Sequence, residues 1–108
     1  MALKAAEIGK TINYYTGYDL TSNTDLELTI TDSAGDTVTI AIARISVPGG
    51  SIVDADLGTL DGDTVMQFTT LATDFPTAGT YSLQGKYVDG SSEFYGDVAT
   101  ITVEAGYP

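Results

Sequence analysis

Apolar and polar residues alternate strictly in the segment from Asp25 to Thr31. Because successive side chains of a β-strand point to opposite faces, Leu26, Leu28 and Ile30 share one face that has to be buried. Short runs rich in Thr, Val, Ile and Tyr recur along the chain between Gly, Asp, Ser and Asn, and helical periodicity is nearly missing. The chain is therefore predicted to be all-β.

Turn residues divide the chain into six or seven predicted strands. The apolar positions of the run 37–47 change parity between Ile42 and Ile45, which predicts a bulge or bend near Ala43 and Arg44. The stretch from residue 48 to 63 is predicted to be mostly loop. The predicted strands cover about residues 10–15, 25–31, 37–47, 52–53, 64–70, 81–87 and 99–103, with Ala99, Ile101 and Val103 of the last one facing inward.

Tyr81 follows Ala78 and Gly79 at the start of a predicted strand. Immunoglobulin-like sandwiches carry a tyrosine at this point, with its hydroxyl bonded to the backbone a few residues upstream, an arrangement called the tyrosine corner. Leu83 stands where antibody domains have their second cysteine, and the chain has neither cysteine nor tryptophan. We predict an immunoglobulin-like two-sheet antiparallel sandwich of about seven strands, with a jelly roll or small barrel as the alternative.

The chain length of 108 residues fits one domain. We place the sandwich at residues 10–104, between an N-terminal arm at 1–9 and a C-terminal tail at 105–108. The first residues lack the apolar stretch of a secretory signal, and no later segment approaches the roughly 20 apolar residues of a membrane span. Synthesis in the cytoplasm is expected.

The formal net charge is −11, from fifteen acidic and four basic residues. Such a chain repels the phosphates of nucleic acids and anionic lipid surfaces, so neither a nucleic acid nor a membrane is expected as a partner. Histidine and cysteine are absent, which removes the commonest general base and the thiol nucleophile. We predict no catalytic residues and no enzymatic activity.

Four aspartates within one segment are candidate ligands of a calcium ion, because hard cations bind several carboxylate oxygens together. They are Asp54, Asp56, Asp61 and Asp63. Their spacing does not match an EF-hand, and Asp beside Gly is also ordinary turn chemistry. Calcium is the one cofactor that the sequence leaves open.

Seven tyrosines are many for this length, and tyrosine is enriched at protein interfaces. Tyr18 and Tyr107 are predicted as interface anchors, and Met1, Leu3 and Ile8 as contacts of the N-terminal arm. Exposed tyrosines can also stack on sugars, which keeps a carbohydrate-binding module open as an alternative function.

Several short motifs occur along the chain: Gly9-Lys10-Thr11, Asp19 to Thr24, the Asp32 to Asp36 turn, Asp74-Phe75, Ala78 to Gln84, and Tyr95 to Val103. With these motifs the chain resembles small virion proteins of tailed phages. It is similar to the N-terminal domain of the phage baseplate upper protein family along nearly its whole length.

This resemblance implies a non-enzymatic structural part of a virion, made in the host cytoplasm. The leading hypothesis is a capsid decoration or cement protein that docks on the major capsid protein. A neck, tail or baseplate adaptor is the alternative within the virion. The expected partners are capsid, neck or tail proteins, or further copies of the chain in a homo-oligomer.

Overall fold

The computed structural model describes residues 3–106 as an all-β domain, which confirms the predicted fold class. One-turn 3-10 helices at Ile42–Arg44 and Gly62–Thr64 are the helical segments of this part of the chain. The strands are β1 (Leu3–Lys4), β2 (Thr11–Tyr15), β3 (Asp25–Thr31), β4 (Thr37–Ala41), β5 (Ser51–Asp54), β6 (Gly58–Asp61), β7 (Val65–Thr69), β8 (Gly79–Asp89), β9 (Ser92–Tyr95) and β10 (Ala99–Glu104).

The larger sheet has the strand order β1-β10-β8-β3-β4, and β9 pairs with the distal half of β8. Strand β1 runs parallel to β10, whereas the other described pairs are antiparallel. The second layer is the β2–β7 pair, which a bridge between Ser46 and Gln67 extends. This order is that of an immunoglobulin-like sandwich, in which β10, β8, β3 and β4 take the places of strands G, F, C and C′, and β2 and β7 those of B and E.

The two layers approach each other most closely over Gly85 in β8. A Cβ atom at this position would lie 2.7 Å from Tyr14 Cε2 and 2.9 Å from Met66 Sδ, so only glycine leaves room for these two side chains. Tyr14 then reaches past the glycine and donates a hydrogen bond of 2.6 Å to the Asp97 carbonyl. This contact joins β2 to the segment between β9 and β10. The other buried apolar side chains of the same cluster are Leu3, Ile12, Leu20, Leu26, Leu28, Ile30, Ile40, Phe68, Phe75, Tyr81, Leu83, Tyr87 and Val103.

Tyr81 forms the predicted tyrosine corner at the start of β8. Its hydroxyl donates to the Thr77 carbonyl at 2.6 Å and accepts from the Thr77 N–H at 3.2 Å. The buried ring packs edge-on against Phe75, with 5.1 Å between the ring centroids. The corner therefore fixes the connection between β7 and β8.

The prediction that residues 1–9 form an arm is wrong for the first described residues. Leu3 is 0% exposed and pairs with Val103 in β1, and the Ala5 N–H donates to the Glu104 carbonyl at 2.8 Å. Leu3 is thus a core residue instead of a docking contact. Its burial follows from the parallel pairing with β10, which carries it into the cluster between the layers.

The parity change in the run 37–47 comes from a bend at Ala43 and Arg44, as predicted, instead of a bulge. Strand β4 ends at Ala41, a 3-10 turn follows, and Ser46 then bridges to Gln67 of the second layer. The apolar residues before and after the turn therefore belong to different sheets. Arg44 stabilises this connection between the two sheets by donating two hydrogen bonds, of 3.0 and 2.6 Å, to the buried Asp74 carboxylate.

A β-hairpin occupies residues 51–61, where the sequence predicts mostly loop. Strands β5 and β6 pair in register from Ser51 with Asp61 to Asp54 with Gly58. At the base, the Gly62 N–H donates to the Gly50 carbonyl at 2.7 Å. No residue from 51 to 61 belongs to the hydrophobic core, so the hairpin is an addition to the sandwich.

Candidate interaction surface

A groove of about 140 Å³ lies where β2, β10 and the tip of the β5–β6 hairpin meet. Ile12 of β2, Leu83 of β8 and Ile101 of β10 line its apolar part. Leu57 at the hairpin tip forms part of the opposite wall and is 53% exposed. A cavity of about 150 Å³ with aliphatic walls holds a benzene molecule, so this groove has room for one large apolar side chain.

The side chains on the inner face of β10 differ in burial along the strand. Val103 is buried, Ile101 is half-buried and Ala99 is exposed, although all three share one face of the strand. Among residues 3–106, β1 pairs only with Val103 and Glu104, and so protects one end of β10. The prediction that Ala99 faces inward is right for the direction of its side chain, but Ala99 lies at the open end.

The edge of β2 beside the groove carries unpaired main-chain groups. Thr70 N–H donates to the Lys10 carbonyl, so the even-numbered residues of β2 bond to β7. Thr11, Asn13 and Tyr15 consequently direct their N–H and C=O groups to the opposite edge. No strand of the described chain pairs there.

At Thr100, the edge of β10 likewise carries main-chain groups that no strand within residues 3–106 pairs with. Because the Ala5 N–H donates to the Glu104 carbonyl, the even-numbered residues of β10 direct their main-chain groups away from β8. Between residues 3 and 106 no strand pairs with Thr100 on this side. The groove thus combines an apolar floor with two strand edges that have no partner strand among residues 3–106.

Carboxylates stand at the rim of the groove, on the hairpin tip. Asp54 Oδ1 accepts the N–H groups of Asp56 and Leu57 at 2.8 and 2.9 Å, and Oδ2 accepts from the Asn13 amide at 3.0 Å. The Asn13 bond, the two turn N–H groups and the positive charge of the amino terminus hold the pKa of Asp54 below its ordinary value, so this carboxylate is charged at neutral pH. Asp56 also lines the groove, whereas none of the four basic residues does.

An aromatic cluster lies at the end of the sandwich where β2 leads into β3. Tyr18 packs on Phe94 with 5.4 Å between ring centroids, and Phe94 stacks on Tyr87 at 5.5 Å. Tyr18 is 40% exposed, and its role as an interface anchor stays a prediction. The sequence did not indicate Phe94 as a surface aromatic residue, because β9 has no clear alternation of apolar and polar residues.

The four aspartates considered for calcium do not form one site. Asp54 and Asp56 are at the hairpin tip, whereas Asp61 is at its base and Asp63 follows in the 3-10 turn. Three residue steps along a strand separate tip from base by roughly 10 Å. Asp54 and Asp61 instead accept N–H bonds within their own turns, and the described residues contain no group of three acidic side chains suited to a metal ion.

The remaining predicted contact residues do not share one surface. Ile8 is 68% exposed and precedes β2, whereas Tyr18 follows β2. The length of that strand, roughly 17 Å, lies between them. Met1 and Tyr107 lie outside the described residues.

Comparison with protein-family models, curated proteins and solved structures found no match. In the described part of the chain, no helix is long and apolar enough to cross a membrane.

Proposed function

We propose that this protein is a non-enzymatic structural component of a tailed-phage virion. Its proposed role is that of a capsid decoration or cement protein that docks on the major capsid protein. The observation that carries the docking role is the groove, in which an apolar floor lies between two strand edges that no strand within residues 3–106 pairs with. Strand edges of this kind recruit extended segments of other proteins through main-chain hydrogen bonds.

The construction of the sandwich suits a part that has to remain rigid on a particle. Packing over Gly85 and the tyrosine corner at Tyr81 fix the layers without a disulfide bond. The net charge of −11 makes free copies of the chain repel one another, which favours solubility before assembly. The assignment to a virion itself comes from the motifs that resemble phage virion proteins, such as Ala78 to Gln84.

Purified virions test this proposal. Mass spectrometry and gel densitometry would measure the copy number of the chain against the major capsid protein. We expect a ratio close to that of the capsid lattice. A handful of copies per particle would instead favour the neck, tail or baseplate adaptor, and absence from washed particles would refute the virion assignment.

A carbohydrate-binding module is the second candidate, and the aromatic cluster of Tyr18 and Phe94 is the observation that favours it. Partly exposed aromatic rings present flat apolar faces on which sugar rings stack. A glycan array with the wild-type protein and with Tyr18→Ala is the measurement. Binding that disappears in Tyr18→Ala would support the module, and an empty array would remove it.

A further inference from the structure

We propose that the outer edge of β4 pairs with the same edge of a second copy of this chain, antiparallel about a two-fold axis, to form a weak dimer. The paired strands join the larger sheets of both copies into one continuous sheet. This contact goes beyond the docking role, since it uses neither the groove nor the partner that the groove would bind.

Strand β4 directs part of its main chain away from the sheet. The Asp32 N–H donates to the Asp36 carbonyl at the β3–β4 turn, so the even-numbered residues of β4 bond to β3. Thr37, Thr39 and Ala41 therefore direct their N–H and C=O groups to the outer edge. Strand β4 is the last of the larger sheet, and no strand within residues 3–106 pairs with this edge.

The two ends of the described chain lie at the opposite edge of the sheet. Leu3 is in β1, and Gly106 lies beside Ala5, which follows β1. Four strand spacings of about 4.8 Å each, roughly 19 Å in all, separate β1 from β4. Residues 1–2 and 107–108 are joined to Leu3 and Gly106, and two residues span at most about 7 Å, so neither pair reaches β4.

The edge of β4 lacks the features that usually keep edge strands apart. Residues 37–41 contain no charged residue and no proline, and they pair with β3 without a bulge. By contrast, β1 has only two residues, and the four-residue β9 carries Glu93. An uncharged open edge of five residues is therefore suited to pairing with another strand.

This edge is its own complement in one register. When Thr39 of one copy lies opposite Thr39 of the other, Thr37 lies opposite Ala41, and every outward N–H faces a C=O of the other copy. The two Thr39 side chains then form a favourable cross-strand pair. On the inner face the half-buried Val38 lies opposite Ile40. Registers shifted by two residues leave some of the outward groups without a partner.

The local charges permit this pairing, although the net charge weakens it. In the proposed register Asp36 lies opposite Ile42, so the acidic residue next to β4 is not directly opposite an acidic residue of the other copy. The net charge of −11 on each copy repels the other copy at longer range, and salt screens this repulsion. Because a five-residue edge buries little surface, the dimer belongs to the weak associations.

Sedimentation equilibrium of the full chain, from about 10 µM to about 1 mM, measures the association. We expect a monomer–dimer equilibrium with a Kd of about 0.1–1 mM in about 0.5 M NaCl, and at least about threefold weaker association in about 0.05 M NaCl. Assembly should stop at the dimer, because the two-fold pairing occupies both edges. A monomer under all these conditions, or growth into larger assemblies, would refute the proposal.

Nuclear magnetic resonance locates the contact. The amide signals of Thr37, Thr39 and Ala41 should shift with protein concentration, and these amides should exchange hydrogen more slowly in the dimer. The amides of Thr11 and Thr100, which face other strand edges, should show neither change. Concentration-dependent shifts confined to another edge would show that the copies associate elsewhere, contrary to the proposal.

Thr39→Pro tests the main-chain pairing. Proline removes an outward N–H and breaks no hydrogen bond to β3, so the fold should be retained while association weakens by at least about tenfold. Thr100→Pro is the matched control, since it removes an outward N–H from β10 and should leave association unchanged. Equal effects of the two substitutions would overturn the assignment to β4.

Thr39→Lys separates strand pairing from general electrostatics, and it decides the question where proline disturbs the fold. Two lysines would lie opposite each other in the dimer, so association should weaken by at least about fivefold. Thr80→Lys makes the same change of net charge at an exposed position of β8 and should strengthen association slightly, because the net repulsion falls. Association that strengthens equally in both variants would show that net charge alone controls it.

These outcomes are independent of the virion assignment. A protein that dimerises through β4 but is absent from purified particles would retain the dimer and lose the virion role. A protein that is abundant on particles but stays monomeric in solution up to about 1 mM would retain the virion role and lose the dimer.

Discussion

Truncation of Leu3 tests whether the beginning of the chain belongs to the core. Leu3→Ala removes about three carbon groups from a fully buried side chain, worth roughly 0.8 kcal/mol each in transfer free energy. Substitutions of this type cost about 2–5 kcal/mol once the residual cavity is included. Because β1 has two residues and can close part of the cavity, we expect about 2–3 kcal/mol.

Ile8→Ala is the matched control, since Ile8 is 68% exposed and should change the free energy of unfolding by less than about 0.5 kcal/mol. Urea unfolding followed by tyrosine fluorescence measures both variants. Calorimetry should show the Leu3→Ala melting temperature lower by about 10 °C, at roughly 4 °C per kcal/mol for a domain of this size.

Hydrogen exchange adds a local readout for the same variant. The Ala5 N–H, which bonds to the Glu104 carbonyl, should exchange faster in Leu3→Ala than in the wild type. If Leu3→Ala and Ile8→Ala had equal and small effects on unfolding, β1 would contribute nothing to the core and our account of it would be refuted.

Three further substitutions test contacts inside the sandwich. Gly85→Ala should destabilise the fold by about 1–3 kcal/mol in urea unfolding, because the new methyl group would meet Tyr14 and Met66; a neutral result would contradict the close approach of the layers. Tyr81→Phe should cost about 1–2 kcal/mol through its lost bond to Thr77, against no measurable cost for the exposed control Tyr95→Phe. Burial raises the pKa of the Tyr14 phenol above 10.0, so its contribution to the free energy of unfolding is present below about pH 10 and is lost as the pH rises through the folded-state pKa. The free energy of unfolding, measured from pH 8 to 11, should therefore fall less in Tyr14→Phe than in the wild type. Identical pH profiles of the two proteins would contradict this account.

The central strands could be predicted because their signals are local. Strand β3 alternates from Asp25 to Thr31, and its predicted bounds are those of the structure. The tyrosine corner is equally local, since Tyr81 bonds to a residue four positions upstream. Both follow from short-range geometry that a sequence displays directly.

Strand β1 and the groove could not be predicted because they depend on distant pairing. Leu3 is buried by Val103, a partner 100 residues away, and a two-residue strand has no periodicity of its own. The groove is lined by residues of β2, β8, β10 and the hairpin, which only the topology brings together, so no single motif indicates it. Of the hairpin, the sequence indicates only a short strand at Ile52 and Val53, since Ile52 and Leu60 are only half-buried and the two strands contain few apolar residues.

The β5–β6 hairpin contributes to the groove but not to the hydrophobic core. It leaves and re-enters the domain at the adjacent Gly50 and Gly62, and at Gly62 the Gly49 carbonyl leaves no space for a side chain. Its tip nevertheless supplies Leu57 and the rim carboxylates to the groove. Substitutions at the tip can therefore change the wall of the groove without removing a contact from the core.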